Sequence, residues 1–362
     1  MQRVIPAKDI WARLVRQALC VAAVVLGPGL STAQDVRPAD LSAMSAQACA
    51  LGGCEVRPGD EVWAINCRGI NVIAPEVTLA GLRYERYLPG QGWVPWHAAD
   101  FLRPPAGMPS VFFVVGNYYT HQETVETGWF AYHRLVESCA GGRPVRFVMW
   151  SWPSDPIPGR RLRDAKIKLG RIDPTSYHLA ALADALPPTG PISMCGSSFG
   201  VGIVLGAAQL VSAGRLGCYE LSPRSGAQHC LRLVLLGAAV DDDVFLPGQK
   251  YDAVLPSADR VLLMVNPGDR ALKRYHKLFG RHSGAEALGS VGPAGGASLP
   301  GAGKLGLVPS GRYLGHQHGM MAHWRSAPIV ARMRPYLLGG SGRPTSILNR
   351  DFDKSDHGGF AD

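Results

Sequence analysis

Charge is scarce in this chain. Asp, Glu, Lys and Arg make up only 18% of its 362 residues while 46% are apolar, and so apolar a composition excludes a chain disordered throughout. Long apolar runs are missing beyond the N-terminal region. No later segment reaches eighteen unbroken apolar residues, so none carries the signature of a membrane-spanning helix. Cys-x-x-Cys pairs are absent, and no Cys/His spacing suits zinc, so neither metal nor cofactor is expected. There is no internal repeat, which sets solenoids aside. Glycine and proline are plentiful, at 44 and 28 residues, as suits a buried sheet joined by many loops. The length exceeds that of a usual single domain, but α/β sheets with many connections reach it around one core.

Arg3, Lys8, Arg13 and Arg16 precede an apolar run over 18–30, and Ser31-Thr32-Ala33 then offers the small residues that a signal peptidase requires. Residues 1–33 therefore read as a secretory signal cleaved after Ala33, leaving a periplasmic or secreted protein with no stable membrane anchor. The alternative is an uncleaved anchor, but the run is shorter than the ~20 residues that a span needs. Cys20 falls in the signal, which leaves an odd number of the 8 cysteines, so not all can pair internally. The expected disulfides are one among Cys49, Cys54 and Cys67 and another joining Cys218 to Cys230, while Cys195 reads as a core residue.

The net charge of +9 owes part of its excess to the signal. Its sharpest remaining cluster, Arg160, Arg161, Arg163, Lys166, Lys168 and Arg171, is broken only by Asp164 and lacks interleaved aromatics. Nucleic acid is not an expected partner. The cluster reads first as a solvated face and second as an attraction for an acidic substrate or headgroup.

Residues 34–60 form an irregular lead-in. Thereafter eight short apolar runs, 62–67, 82–88, 111–115, 145–150, 192–195, 231–239, 261–265 and 305–308, alternate with helical patterns over 123–137, 176–185, 199–212, 270–278 and 320–338. The runs are continuously aliphatic, as in strands buried on both faces. The alternation predicts one α/β domain over 61–340: a mostly parallel eight-stranded sheet with helices on both faces. Residues 284–303 read as a Gly/Ala/Pro-rich surface loop and 341–362 as a disordered tail.

The informative stretch is Gly196-Ser197-Ser198-Phe199-Gly200, a G-x-S-x-G between a buried strand and an apolar helix. That context puts Ser198 on a sharp strand-to-helix turn, where Gly196 and Gly200 let strand and helix approach. A serine hydroxyl needs a base, and the base needs an orienting carboxylate, in the chain order Ser, acid, His. Asp269 follows the strand 261–265 and is the first candidate acid; it also suits an Asx turn or helix N-cap, and Asp241, Asp242 and Asp243 stand in reserve. His318 is the preferred base over His316, while His276 and His282 look like surface residues. For the oxyanion hole, Phe199 offers one backbone N–H, and the turn Gly116-Asn117-Tyr118 should supply the other.

V-W-A-I-N-x-R at 62–68, V-x-G-N at 114–117, W-S-W-P-S at 150–154, G-S-S-F-G at 196–200 and G-x-x-H at 315–318 together resemble a group of bacterial α/β hydrolases of uncharacterised function, distantly similar to lipases and esterases. The likeness runs from about 61 to 338. It implies the α/β-hydrolase fold and the roles of Ser198, Asp269 and His318, and it names no substrate. Such proteins often carry His-Gly-Asn at the oxyanion turn, where this chain has Val115 before Gly116-Asn117. The expected activity is hydrolysis of a small-molecule or lipid-like acyl ester through an acyl-enzyme. The rivals are a non-catalytic binding protein on the same fold and a basic surface-binding protein.

Overall fold

The computed structural model describes residues 56–70, 74–137, 142–222, 229–278 and 285–339. The segment expected to be a signal, most of the expected lead-in, Cys49, Cys54, Cys139, His282 and residues 341–362, expected as a tail, lie outside the described residues. The strands of the main sheet are β1 (Glu61–Asn66), β2 (Arg83–Leu88), β3 (Gly92–Trp96), β4 (Ser110–Val114), β5 (Arg146–Ser151), β6 (Ile192–Ser197), β7 (Leu231–Leu236), β8 (Arg260–Val265) and β9 (Leu305–Pro309). They lie in the order β9-β8-β7-β6-β4-β5-β1-β2-β3.

Every ladder from β9 to β1 is parallel, and only the two involving β2 are antiparallel. The sheet thus has nine strands where eight runs are legible. The added one, Gly92–Trp96, holds an exposed Pro95 and sits at the sheet edge, where a missing backbone donor is tolerated. Strands β4, β5 and β6 are buried along their whole length, as continuous apolar sequence requires when helices cover both faces. Each large apolar side chain buried here, such as Phe113 or Phe147, contributes about 1.5–3 kcal/mol relative to exposure.

The longer helices are α1 (His121–Val136), α2 (Arg161–Ala185), α3 (Phe199–Ala213), α4 (Met320–Arg325) and α5 (Ala327–Leu337). They pack in two groups, α2 with α3 and α1 with α4 and α5, on the two faces of the sheet. Helix α1 begins with a capping box in which Thr120 and Glu123 satisfy each other's backbone N–H groups.

Several elements differ from the sequence reading. Helix α2 starts at Arg161, fifteen residues before the expected 176, because Pro174 lies inside it and reads as a breaker. The expected helix 320–338 is two helices meeting at Ser326, with Pro328 in the first turn of the second. Residues 285–304 are not a plain surface loop: Leu288 is fully buried, its N–H donates to Val240 O, and Gly289 N–H donates to Ala238 O. This segment closes over the carboxyl end of β7.

The cysteines also differ. Cys218 and Cys230 are separate free thiols. Cys218 occupies the turn of a two-stranded hairpin, Arg215–Leu216 with Tyr219–Glu220, while Cys230 leads directly into β7. Cys67 is likewise unpaired; its S–H donates to Ser151 O at 3.4 Å, and burial pushes the thiol up to about 12. Cys195 is buried in β6.

Candidate functional site

From β4 the chain runs to β5 on one side, then crosses back to β6 on the other side of β4 and continues outward through β7, β8 and β9. Such a reversal opens a crevice at the carboxyl ends of the strands, where sheet-borne sites form. The turn after β4 and the turn after β6 both face that crevice.

Ser198 joins β6 directly to α3 with φ 53° and ψ −120°. Among the described residues only Ser198 and Tyr118 have positive φ without being glycine, and strain of this kind collects at functional sites. A Cβ on Gly200 would come within 2.6 Å of the carbonyl oxygens of Val114 and Val115, and one on Gly196 within 2.6 Å of Gly200 O. A Cβ on Gly116 would meet Ser198 Cβ at 3.0 Å. Gly116 and Gly200 bring the turns after β4 and β6 into contact, and Gly196 lets the end of β6 approach the start of α3. Gly200→Ala is therefore expected to cost at least ~1–3 kcal/mol of stability by overpacking, read as a lower midpoint in urea unfolding; an unchanged midpoint would contradict so close an approach.

His318 lies between the short helix Gly311–Leu314 and α4. Its Nε2 is 2.9 Å from Ser198 Oγ, and its Nδ1 is 2.8 Å from Asp269 Oδ2. A carboxylate only accepts, so Nδ1–H donates to Asp269 and Nε2 accepts from the Ser198 hydroxyl. Asp269 is buried, and its Oδ1 accepts from the N–H groups of Ala271 at 2.9 Å and Leu272 at 3.1 Å. It thus caps the following turn and holds the imidazole at once, one oxygen for each. Ser198 is half-buried and His318 partly accessible, whereas Ser197 is buried within β6.

Of the reserve acids, Asp242 accepts from Glu286 N–H and anchors the segment after 285. His316 donates through Nδ1 to Gly268 O at 2.9 Å, and Asn266 bonds both Gly268 N–H and Gly315 O. Together these tie the acid-bearing turn to the histidine-bearing one. His323 is fully buried behind the site, and burial lowers its imidazole to about 4. It therefore stays neutral at pH 7 and adds no positive charge beside His318.

The oxyanion turn needs one correction. Tyr118 N–H already donates to Ser154 O at 2.9 Å, so it is engaged away from the crevice. Asn117 N–H makes no hydrogen bond among the described residues and lies next to Gly116. The Asn117 side chain turns away, donating through Nδ2 to Asp164 Oδ1 at 3.2 Å. Of the two N–H groups in this turn, that of Asn117 is thus the one not engaged among the described residues, and Phe199 begins α3 directly after Ser198.

Two side chains here were missed as site neighbours. Asp164 and Lys168 are buried and paired, although the basic run 160–171 reads as a solvated face. Of the basic residues in that run, Arg160, Arg161, Arg163 and Lys166 are exposed, while Arg171 donates to Pro153 O. The signal was present: Asp164 is the one acid in the run and stands four residues before Lys168.

A mostly parallel sheet with a strained serine after β6, a carboxylate after β8 and a histidine after β9 decides the architecture. It is the α/β-hydrolase fold. No family model matches the chain, and no curated protein does. Among solved structures, an inhibited esterase B from Lactobacillus rhamnosis is similar at 14% identity, covering 82% of this chain and 97% of that chain with a TM-score of 0.33. At that TM-score the likeness carries nothing about activity. Among the described residues no group of three or more His, Cys, Asp or Glu could hold a metal ion, and no helix is long and apolar enough to cross a membrane.

Proposed function

We propose that the protein is an exported serine hydrolase that cleaves an ester or related acyl bond of a small-molecule or lipid-like substrate. The observation that carries this reading is the unbroken hydrogen-bonded chain from Asp269 through His318 to a strained, half-buried Ser198. In the first half-reaction Ser198 Oγ attacks the carbonyl carbon while its proton passes to His318 Nε2. The oxyanion collects beside the backbone N–H groups of Phe199 and Asn117, and His318 returns the proton to the departing alcohol. Water then takes the place of the alcohol, and the same base activates it to release the acid.

The deciding experiment combines a fluorophosphonate probe with p-nitrophenyl esters of graded chain length. Labelling confined to Ser198, with turnover of at least one ester, supports the proposal. A folded protein that neither labels nor hydrolyses would leave a binding protein on the same fold.

Export is the second part of the proposal. Protein recovered outside the cytoplasm of its native host is expected to begin at Gln34, because the charged, apolar and small-residue regions occur in the required order. Edman sequencing reads this directly. An intact Met1 on protein from the soluble cytoplasm would overturn it.

A further inference from the structure

Behind the turn after β4 lies a buried charge pair that the triad does not touch. Asp164 and Lys168 stand four apart on α2 and so share a face. Their side chains are 2% and 0% exposed, with Lys168 Nζ 2.7 Å from one carboxylate oxygen and 2.8 Å from the other. A buried pair of this kind contributes little net stability by itself, since desolvation offsets the attraction. Its purpose has to be sought in what else it touches.

Asp164 takes three donors. Lys168 supplies one, the Ile157 N–H a second at 2.7 Å, and Asn117 Nδ2 a third at 3.2 Å. Burial pushes the carboxyl up, but these hydrogen bonds outweigh it and hold Asp164 below the ordinary carboxylate range. Asn117 passes the constraint on, because its Oδ1 accepts from Tyr118 N–H at 2.9 Å. Tyr118 is the aromatic residue held at φ 69°, and the Lys168 ammonium lies 4.8 Å from the centre of its ring. A bulky side chain in the left-handed region needs such external restraint. The restrained turn is also the one that lies against Ser198.

We propose that Asp164 and Lys168 are a positioning pair for the oxyanion turn. The carboxylate fixes the Asn117 amide, the amide holds Tyr118 in its left-handed conformation, and the Asn117 N–H is thereby aimed at the space beside Ser198. Lys168 keeps the carboxylate ionised, as an acceptor for all three donors. This inference rests on the hydrolase reading of Ser198.

Asp164→Asn leaves one acceptor oxygen for three donors and is expected to lower kcat on a p-nitrophenyl ester about ten- to a hundredfold, below the ~10²–10³ that loss of an oxyanion donor costs. KM should stay within about twofold. Asn117→Ala keeps its own backbone N–H and should show the same fall with the ion pair intact; the double variant should be no worse than the worse single one, as for residues acting in series. Rates are taken per serine titrated with a fluorophosphonate, so a merely structural role, which lowers only the amount of folded protein, leaves them unchanged. Unchanged rates or an additive double variant would overturn the proposal.

Should Asp164→Asn fail to fold, Asn117→Ala alone decides. Hydrogen exchange supplies a readout independent of turnover: Tyr118 N–H is shared between Asn117 Oδ1 and Ser154 O, so its protection is expected to fall in part, not wholly, in either variant. If the wild type neither labels nor hydrolyses, the hydrolase reading fails while exchange at Tyr118 still judges the restraint; unchanged protection there would overturn the restraint as well.

Discussion

Ser198→Ala is expected to lower kcat by about a millionfold and to abolish fluorophosphonate labelling, with the unfolding midpoint little changed. The size follows from the cooperative character of a nucleophile and its base: removing either leaves only oxyanion stabilisation and binding. The fold should persist because, among the described residues, the Ser198 side chain makes one hydrogen bond, to His318, and it is half-buried rather than in the core. Ser197→Ala is the matched control. That side chain lies buried within β6, and its loss should spare both turnover and labelling. Equal activity in Ser198→Ala on every ester that the wild type cleaves would refute the mechanism.

The alternation of apolar runs and helical patterns made the sheet legible, because strands buried on both faces must be continuously aliphatic. Glycine at 196 and 200 was legible as close approach, and the contacts that a Cβ would make there give the physical reason. What escaped were features whose cause lies far away in sequence. Helix α2 looks broken at Pro174 when read locally, yet it is held by packing against α3. Lys168 looks solvent-bound among five other basic residues, and only the fold brings Asn117 and Ile157 to complete the environment of its partner Asp164.

Tyr118 shows the same limit. The spacing puts it in the oxyanion turn, but whether its N–H faces the crevice depends on Ser154, which arrives from the end of β5. The Cys218–Cys230 pairing failed for a related reason: proximity in sequence across a polar loop says nothing about where a hairpin turn points. Conversely, Asp269 was left between catalysis and capping, and the two readings turn out not to compete, since each uses a different carboxylate oxygen.

That division of labour makes Asp269→Asn unusually informative. An asparagine keeps Oδ1 to accept from Ala271 and Leu272, so the turn after β8 retains its cap and the protein should fold. The second oxygen becomes an NH₂ group facing His318 Nδ1. Two donors cannot share that contact, so the imidazole is driven to the tautomer with its proton on Nε2, where it can no longer accept from Ser198. The expected outcome is a fall in kcat of about 10⁴ with KM little altered, the size found when an orienting carboxylate becomes an amide. Asp269→Ala should lose about 1 kcal/mol of stability in addition, since it also removes the cap. Asp243→Asn, on the turn after β7, should keep near-wild-type kcat. Should Asp243→Asn prove as damaging as expected of Asp269→Asn, and Asp269→Asn harmless, the orienting acid would lie after β7 and the hydrogen bond between Asp269 and His318 would be one of structure alone.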